Sequence, residues 1–494
     1  MPEQARPGTP EWWIKRLDKR LRARQGPLAL AQRYYDGDHN LRFTTTKFAE
    51  KFGGMFAHLS DNWTALVVDA VAERLKVNGF RIGDDQANDE QVWSIWQRNA
   101  MDAESKIAIV DSLIDGESSI LVWVDSEDQD RAELTVESAE QMIVDTEPGY
   151  RRRRRAAWKV WRDDFTGRLF GTLYLPDALY KFQSMSPVDE DRYASSDSTK
   201  WERRTVQGEA WPLKNPLGDV PVVPLRNKPR LRKPSTSELG NVIPMQDVCN
   251  KVLADAVLAS EFQSFRQRWV TGMDIPVDPD TNAPIEPFKS AVDRLFVAEN
   301  TETKFGEFGE VNLSGYIALI ELAVQHIASQ SRTPPHYFYL KGNLPSGESI
   351  KSAETGLVAK AREKMLFYGE DLEEVVRLAL MVEGEDAKAE AARSGETIWG
   401  DPEYRSEGEH VDAVLKMKTL GIPEEVLWEE LGFTQEQIAR IKSIKKQNAL
   451  ELATIATTAP RPMLVPPVAN PQGEPVPGGN GAAPPVANPQ QVPA

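Results

Sequence analysis

The stretch Gly342-Asn343-Leu344-Pro345-Ser346-Gly347-Glu348-Ser349 has the glycine spacing of a phosphate-binding P-loop, and it comes nearest in this sequence to a catalytic motif. In such a loop backbone N–H groups cradle phosphates, and a lysine directly after the second glycine attracts their charge. Here Glu348 stands in the lysine position, where a carboxylate repels them. No buried parallel strand precedes the loop either, because Tyr337 to Leu340 is short and follows Pro334 and Pro335. Nucleotide binding is therefore not expected. The five histidines, His39, His58, His326, His336 and His410, are scattered, without a His-Glu-x-x-His, a cysteine pair or a Gly-x-Ser-x-Gly. No catalytic residue, metal or cofactor is expected. The single cysteine, Cys249, lies in an apolar helical stripe and reads as a small buried hydrophobe.

Charge bears on any contact with nucleic acid. The chain has 494 residues and a formal charge of -16, from 59 basic and 75 acidic side chains. A protein that grips phosphates is basic over its contact face, so this is not a gripping protein overall. A conduit differs: a mildly repulsive wall lets a polyanion slide, and repulsion is largely screened beyond a Debye length of ~8 Å. The five consecutive arginines Arg151 to Arg155 read as a solvated strand edge, or as a contact with an acidic neighbouring subunit, in preference to a DNA site. No stretch approaches the ~20 apolar residues of a membrane span, and the first residues lack the apolar core of a signal peptide. A cytoplasmic protein without a membrane anchor is expected.

The elements that must position these residues change character along the chain. Helical periodicity predicts helices over Glu11 to Arg24, Asn62 to Lys76 behind an Asn62 cap, Asp89 to Arg98 and Asp102 to Ile114. Short runs rich in Val, Trp, Tyr and Leu then predict one small antiparallel sheet from Ser119 to Val124, Ala132 to Glu137, Ala156 to Arg162, Leu169 to Tyr174, Ala178 to Gln183 and Lys200 to Val206. Helices return at Asn241 to Arg268 and Ser314 to Gln330, around a non-helical insert with strand candidates at Arg294 to Val297 and Lys304 to Phe308. A long helix with a three-or-four spacing runs from Ile350 to Val382, with Gly356 and Gly369 as candidate bends. Its apolar face, including Leu357 and Met365, is expected to pack between subunits. Helices at His410 to Thr419, Pro423 to Glu430 and Thr434 to Ala453 precede a proline-crowded tail without aromatics, which reads as disordered. The fold class is α+β, mainly helical.

Several segments together resemble the portal proteins of long-tailed double-stranded DNA bacteriophages. They are Tyr34-Tyr35-Asp36-Gly37-Asp38-His39, Asn62 to Phe80, Trp93 to Val124, Val220 to Leu225, Ser237-Glu238-Leu239 and Asn343 to Glu354, in this order between about Leu28 and Lys446. The resemblance implies a wing over residues 1–240, stem helices over 241–270 and 314–331, and a clip over 271–313. A tunnel-loop region would follow over 332–349, a long helix and connection over 350–399, a crown over 400–457 and the tail over 458–494. It implies a DNA-tunnel loop of Lys341, Gly342, Asn343, Leu344, Pro345, Ser346, Gly347 and Glu348, with Lys351, Glu354 and Lys360 as tunnel-helix candidates. It further implies a dodecameric ring at one capsid vertex of the virion, assembled in the host cytoplasm. Double-stranded DNA would pass without sequence reading, and the partners would be the terminase large subunit, a head-completion adaptor, and the major capsid and scaffolding proteins. A minor capsid or connector protein would share the acidity but would not need the stem, clip, stem, loop and long-helix order. A motor ATPase or nuclease would need the phosphate loop or carboxylate cluster that is missing.

Overall fold

Thr9 starts the first helix: its hydroxyl accepts the Trp12 N–H at 3.4 Å, and Pro10 sits where a missing N–H costs nothing. In the computed structural model, which describes residues 6–39, 61–83, 88–188, 195–231, 233–264, 268–272, 302–307, 312–338, 347–403, 407–433 and 435–458 with a few isolated positions, this helix, α1, spans Pro10–Asp36. It continues past Arg24, the end expected from periodicity, because Leu28, Ala31 and Tyr34 extend the buried stripe of Trp13, Leu17 and Leu21 beyond Pro27. Asn62 caps α2 (Trp63–Ala72) by accepting the Ala65 N–H at 3.3 Å, as its position suggested. The helix then stops short of Lys76, and the chain enters a strand, β1 (Val77–Arg81). Asp89 caps α3 (Glu90–Arg98), and α4 (Met101–Asp115) ends at Gly116 with φ 89°. A Cβ at Gly116 would lie 2.9 Å from the Thr236 carbonyl carbon, so glycine is required twice over, by φ and by space.

Among the described residues nine strands follow: β2 (Glu117–Val124), β3 (Ala132–Glu137), β4 (Met142–Glu147), β5 (Tyr150–Asp163), β6 (Arg168–Tyr174), β7 (Ala178–Ser184), β8 (Trp201–Arg203), β9 (Leu213–Lys214) and β10 (Val222–Arg226). They form two antiparallel sheets in place of the expected one. One has the order β10-β2-β3, and the other β4-β5-β6-β7-β8 with β9 on β7. The arginine run opens β5, where only Arg154 has a partner on β4 and the pairing with β6 begins at Ala157, so Arg151 to Arg153 are exposed as a strand edge would have them while the later part of the run turns inward. Arg154 is buried, and its acidic partners belong to the same chain.

The next helix, α5 (Ile243–Ser264), keeps Pro244 in its first turn. A two-stranded ribbon, β11 (Arg268–Thr271) and β12 (Lys304–Glu307), precedes α6 (Ser314–Ser331). The other expected strand there, Arg294 to Val297, lies outside the described residues, as do 280–301. After a 3-10 turn at Pro335–Phe338 comes α7 (Gly347–Val382), which stays helical through both Gly356 and Gly369. Gly369 serves close packing: its carbonyl accepts the Thr397 hydroxyl at 3.2 Å, and a Cβ there would meet Trp399 Nε1 at 3.3 Å. Those two residues belong to β13 (Glu396–Trp399), which follows α8 (Asp386–Ala391) and pairs antiparallel with β1. Then come α9 (Glu407–Thr419), α10 (Glu424–Glu430) and α11 (Gln435–Thr458). The chain divides into compact units over 1–438 and 439–494, and the tail 459–494 lies outside the described residues. No described helix is long and apolar enough to cross a membrane.

The largest core gathers on α7. Leu357, Ala361, Met365, Tyr368, Leu372 and Val375 pack against apolar side chains of α1 to α4 and of β2 and β3. Leu357 is 0% and Met365 8% exposed within the subunit itself, so this face is spent on the subunit's own core and not on a neighbour. A second core sets Trp13, Leu17 and Leu21 of α1 against Trp158, Leu169, Leu173 and Phe182 of the larger sheet. Gly171 on β6 makes room for it, since a Cβ there would lie 2.2 Å from Trp158 Cη2. Gly171→Ala is expected to destabilise the protein by about 2 kcal/mol or more, because the fully buried indole must leave its well. Thermal unfolding against the wild type checks this, and an unchanged midpoint would refute it.

Candidate functional site

The sequence places its loop between α6 and α7, and what fixes the two flanks is visible. α6 ends with Arg332 at φ 56°, and the Ser331 hydroxyl lies 2.9 Å from that of Thr333. Two prolines then forbid further helix, and the 3-10 turn seats Phe338 in the core, its ring centroid 5.7 Å from that of Trp63. Beside it, the Tyr337 hydroxyl accepts from Arg74 Nη2 at 2.9 Å. Residues 339–346, including Lys341, Gly342, Asn343, Leu344, Pro345 and Ser346, lie outside the described residues. Gly347 opens α7 and Glu348 is exposed in its first turn. Two turns on, Glu354 reaches back to Arg74 at 3.4 Å and to His336 Nε2 at 3.4 Å. Arg74 also donates to the Pro402 carbonyl at 2.5 Å, and its side chain is 6% exposed. One buried arginine on the segment after α2 thus holds both flanks of the loop.

Further along α7, Lys360 and Lys364 converge on Glu238, the carboxylate just before α5, at 2.8 and 2.7 Å. Lys228 completes the cluster at 2.8 Å. Burial by itself would raise the Glu238 pKa, but the three ammonium groups prevail and hold it well below the usual carboxylate range. Burial lowers the pKa of Lys360 and of Lys364, and Glu238 opposes that shift in both. Lys360 also donates to the Ser331 carbonyl at the end of α6, at 3.0 Å. The long helix is therefore clamped to the start of α5 and the end of α6 through one lysine.

The α5 and α6 pair has its own core of Val242, Cys249, Ala323, Val324, Ile327 and Ala328, packed on Val67 and Phe338. Burial pushes the Cys249 thiol up to about 12, which suits the inert hydrophobe expected. On the polar side Tyr34 donates to Asp247, Asn250 Nδ2 meets His39 Nδ1 at 2.9 Å, and Gln246 Oε1 accepts the Trp63 N–H at 3.0 Å. Each links α5 to the N-terminal helices.

Of the three tunnel-helix candidates, Lys351 is exposed, whereas Glu354 and Lys360 are buried in the ion pairs just described. The sequence offers Lys360 as a tunnel-helix candidate but does not single out Lys364 or Arg74. The available signal was that the two lysines are four apart and flank the apolar stripe of Leu357, Ala361 and Met365, the placement of a charge that must be paired. The arginine run divides by contact. Arg154 meets Glu374 at 2.6 Å and Asp219 at 3.2 Å, Arg155 pairs with Asp145 and Arg152 with Glu370, while Arg151 to Arg153 face outward.

Together these features define the class: a mixed α+β subunit in which a paired-helix unit and a very long helix are locked at buried ion clusters. Comparison with known proteins gives the family. The description "Phage portal protein, SPP1 Gp6-like" matches residues 15–451. The portal protein of Mycobacterium phage L5 is 26% identical over 472 residues, covering 91% of this chain and 91% of that one. The portal protein of Mycobacterium phage D29 is 26% identical over 463 residues, covering 89% of each. Among solved structures, a chain of the virion of a native gene transfer agent particle matches with a TM-score of 0.39 and 11% identity, over 80% of this chain and 93% of that one. The chain belongs to the phage portal protein family, SPP1 Gp6-like.

Proposed function

We propose that the protein forms a ring of about a dozen subunits at one capsid vertex of the virion, assembled in the host cytoplasm, as the channel for packaging, retention and ejection of double-stranded DNA. The observation that carries this is the family match over residues 15–451, which spans the helix pair, the loop and the long helix alike. In this reading α5 and α6 are the stem, the segment 271–313 is the clip, and residues 339–346 are the loop that meets DNA. The clip receives the terminase large subunit and later a head-completion adaptor, while scaffolding and major capsid proteins surround the ring. The ring itself is structural, and ATP is hydrolysed by the terminase.

The surface of the helix pair supports the assembly. Ile317, Leu319 and Leu322 of α6 are 46, 52 and 50% exposed, and Val257 of α5 is 41% exposed. Large apolar side chains grouped on a helix in water call for a partner, and repeated copies around an axis supply one. DNA contacts repeated around such a ring add without any sequence reading. Negative-stain images of the purified full-length protein are expected to show rings with a central channel, and mass photometry a species of about a dozen subunits. A monomer at every salt concentration would overturn the proposal.

A further inference from the structure

The portal reading requires a ring, and a closed ring joins two different surfaces of the same chain head to tail. We propose that one such joint is electrostatic: the arginine tip of the β4–β5 hairpin of one subunit docks on the acidic tip of the β2–β3 hairpin of the next copy. This rests on the ring assignment above.

The arginine tip protrudes. Pro148 and Gly149, with Gly149 at φ 90°, turn β4 into β5, and Arg151, Arg152 and Arg153 follow at once. The Arg152 side chain is 83% and that of Arg153 67% exposed, and Arg153 lies over the Tyr150 ring at 4.5 Å. The tip rims an open cleft of about 520 Å³ whose floor includes Asp219, Glu370, Glu373 and Glu374. Asp219, Glu370 and Glu374 already pair with Arg152, Arg154 and Arg377, and Arg226 and Arg393 line the cleft as well, so arginines outnumber carboxylates there and call for a partner carrying discrete acidic side chains.

The acidic tip offers such side chains. Between Asp125 and Glu133 there are five carboxylates, Asp125, Glu127, Asp128, Asp130 and Glu133, against the single Arg131. Asp125 and Asp128 are engaged locally, accepting from Glu127 N at 2.7 Å and Asp130 N at 3.2 Å, while Glu127, Asp130 and Glu133 are exposed.

The two hairpins are tied to α7 and its C-terminal turn at points on opposite sides. The arginine hairpin is tied to Glu374 through Arg154, and the acidic hairpin to Glu383, which accepts from Ala132 N at 3.3 Å. Glu383 continues the helical turn, its N–H donating to the Ala379 carbonyl at 3.1 Å. Nine residues at about 100° each bring Glu383 about 180° around the helix from Glu374 and about 13 Å along it. Opposite charge tied to opposite sides of one rigid helix is the arrangement in which copies join head to tail.

The test uses three full-length variants and ring fraction by mass photometry: R151E/R153E, E127K/D130K and the four substitutions combined. Each two-site reversal is expected to cut the ring fraction about tenfold at low salt with an unchanged thermal midpoint, and the combination to restore it to within about twofold. Wild-type ring yield from R151E/R153E, or no recovery in the combined variant, would overturn the joint. So would intact rings of R151E/R153E with weakened binding of a DNA duplex, which would assign the arginine tip to DNA. A wild type that forms no rings would instead sink the portal reading, and this joint with it.

Discussion

Replacing Glu238 by glutamine is expected to destabilise the subunit by about 3 to 5 kcal/mol at pH 7, the range for removing one partner from a buried ionic cluster. The carboxylate stands among three ammonium groups, and Lys360 and Lys364 are 5% and 3% exposed, so the variant leaves two buried positive charges facing an uncharged amide. The dependence on pH makes the test specific. A lysine whose folded pKa is depressed binds its proton less tightly in the native state, so native stability rises as pH passes that pKa towards the unfolded value near 10.4. Loss of Glu238 depresses both lysines further. The deficit of the variant should therefore shrink between pH 7 and pH 10. A control replaces all three groups by apolar ones, Glu238→Leu with Lys360→Met and Lys364→Met, and is expected to recover most of the loss because no charge remains buried. Denaturant unfolding of wild type, Glu238→Gln and the control at pH 7 and pH 10 decides it. A deficit that does not vary with pH would show that glutamine harms packing and that the charges are not the cause.

How far the sequence foretells such a cluster depends on whether its cause is local. Asn62 and Asp89 announce the helices they cap because the capping bond spans three residues. The helices α5 and α6 read correctly to within a few residues for the same reason, as their apolar period and the prolines after α6 are local. The pairing of β1 with β13 has no local signal: Val77 meets Trp399 across more than 300 residues, and Asn62 to Lys76 therefore looked helical to its end. Likewise the five arginines looked like a solvated run because their partners Glu370, Glu374 and Asp219 are remote in sequence. The burial of Lys360 and Glu354 follows the same rule. A charge on the flank of an apolar stripe is ambiguous until the facing element is known, and here the facing groups come from residues 74, 238 and 336.

Deleting Asn343 to Ser346 is expected to leave rings and subunit stability within experimental error of wild type while lowering DNA retained in assembled heads at least about tenfold. The flanks carry the reasoning. Tyr337 and Phe338 before the deletion and Glu354 after it are held by Arg74, Trp63 and His336, none of which the deletion touches. The lost contact would be lost from every subunit at once, so weak individual contributions vanish together. Arg74→Met is the counter-experiment. It leaves the buried Glu354 with His336 alone and frees the Tyr337 hydroxyl, so stability should fall by about 3 kcal/mol even though the loop is intact. Thermal unfolding together with DNA content per particle separates the two. Normal DNA content in the deletion variant would show that this segment does not meet DNA productively. ATP turnover closes the remaining alternative, because Glu348 sits where a phosphate loop needs lysine. Purified rings without terminase are expected to show only background hydrolysis, unchanged by Glu348→Gln. Substantial turnover abolished by Gly347→Ala would turn the loop from a mechanical contact into a nucleotide site.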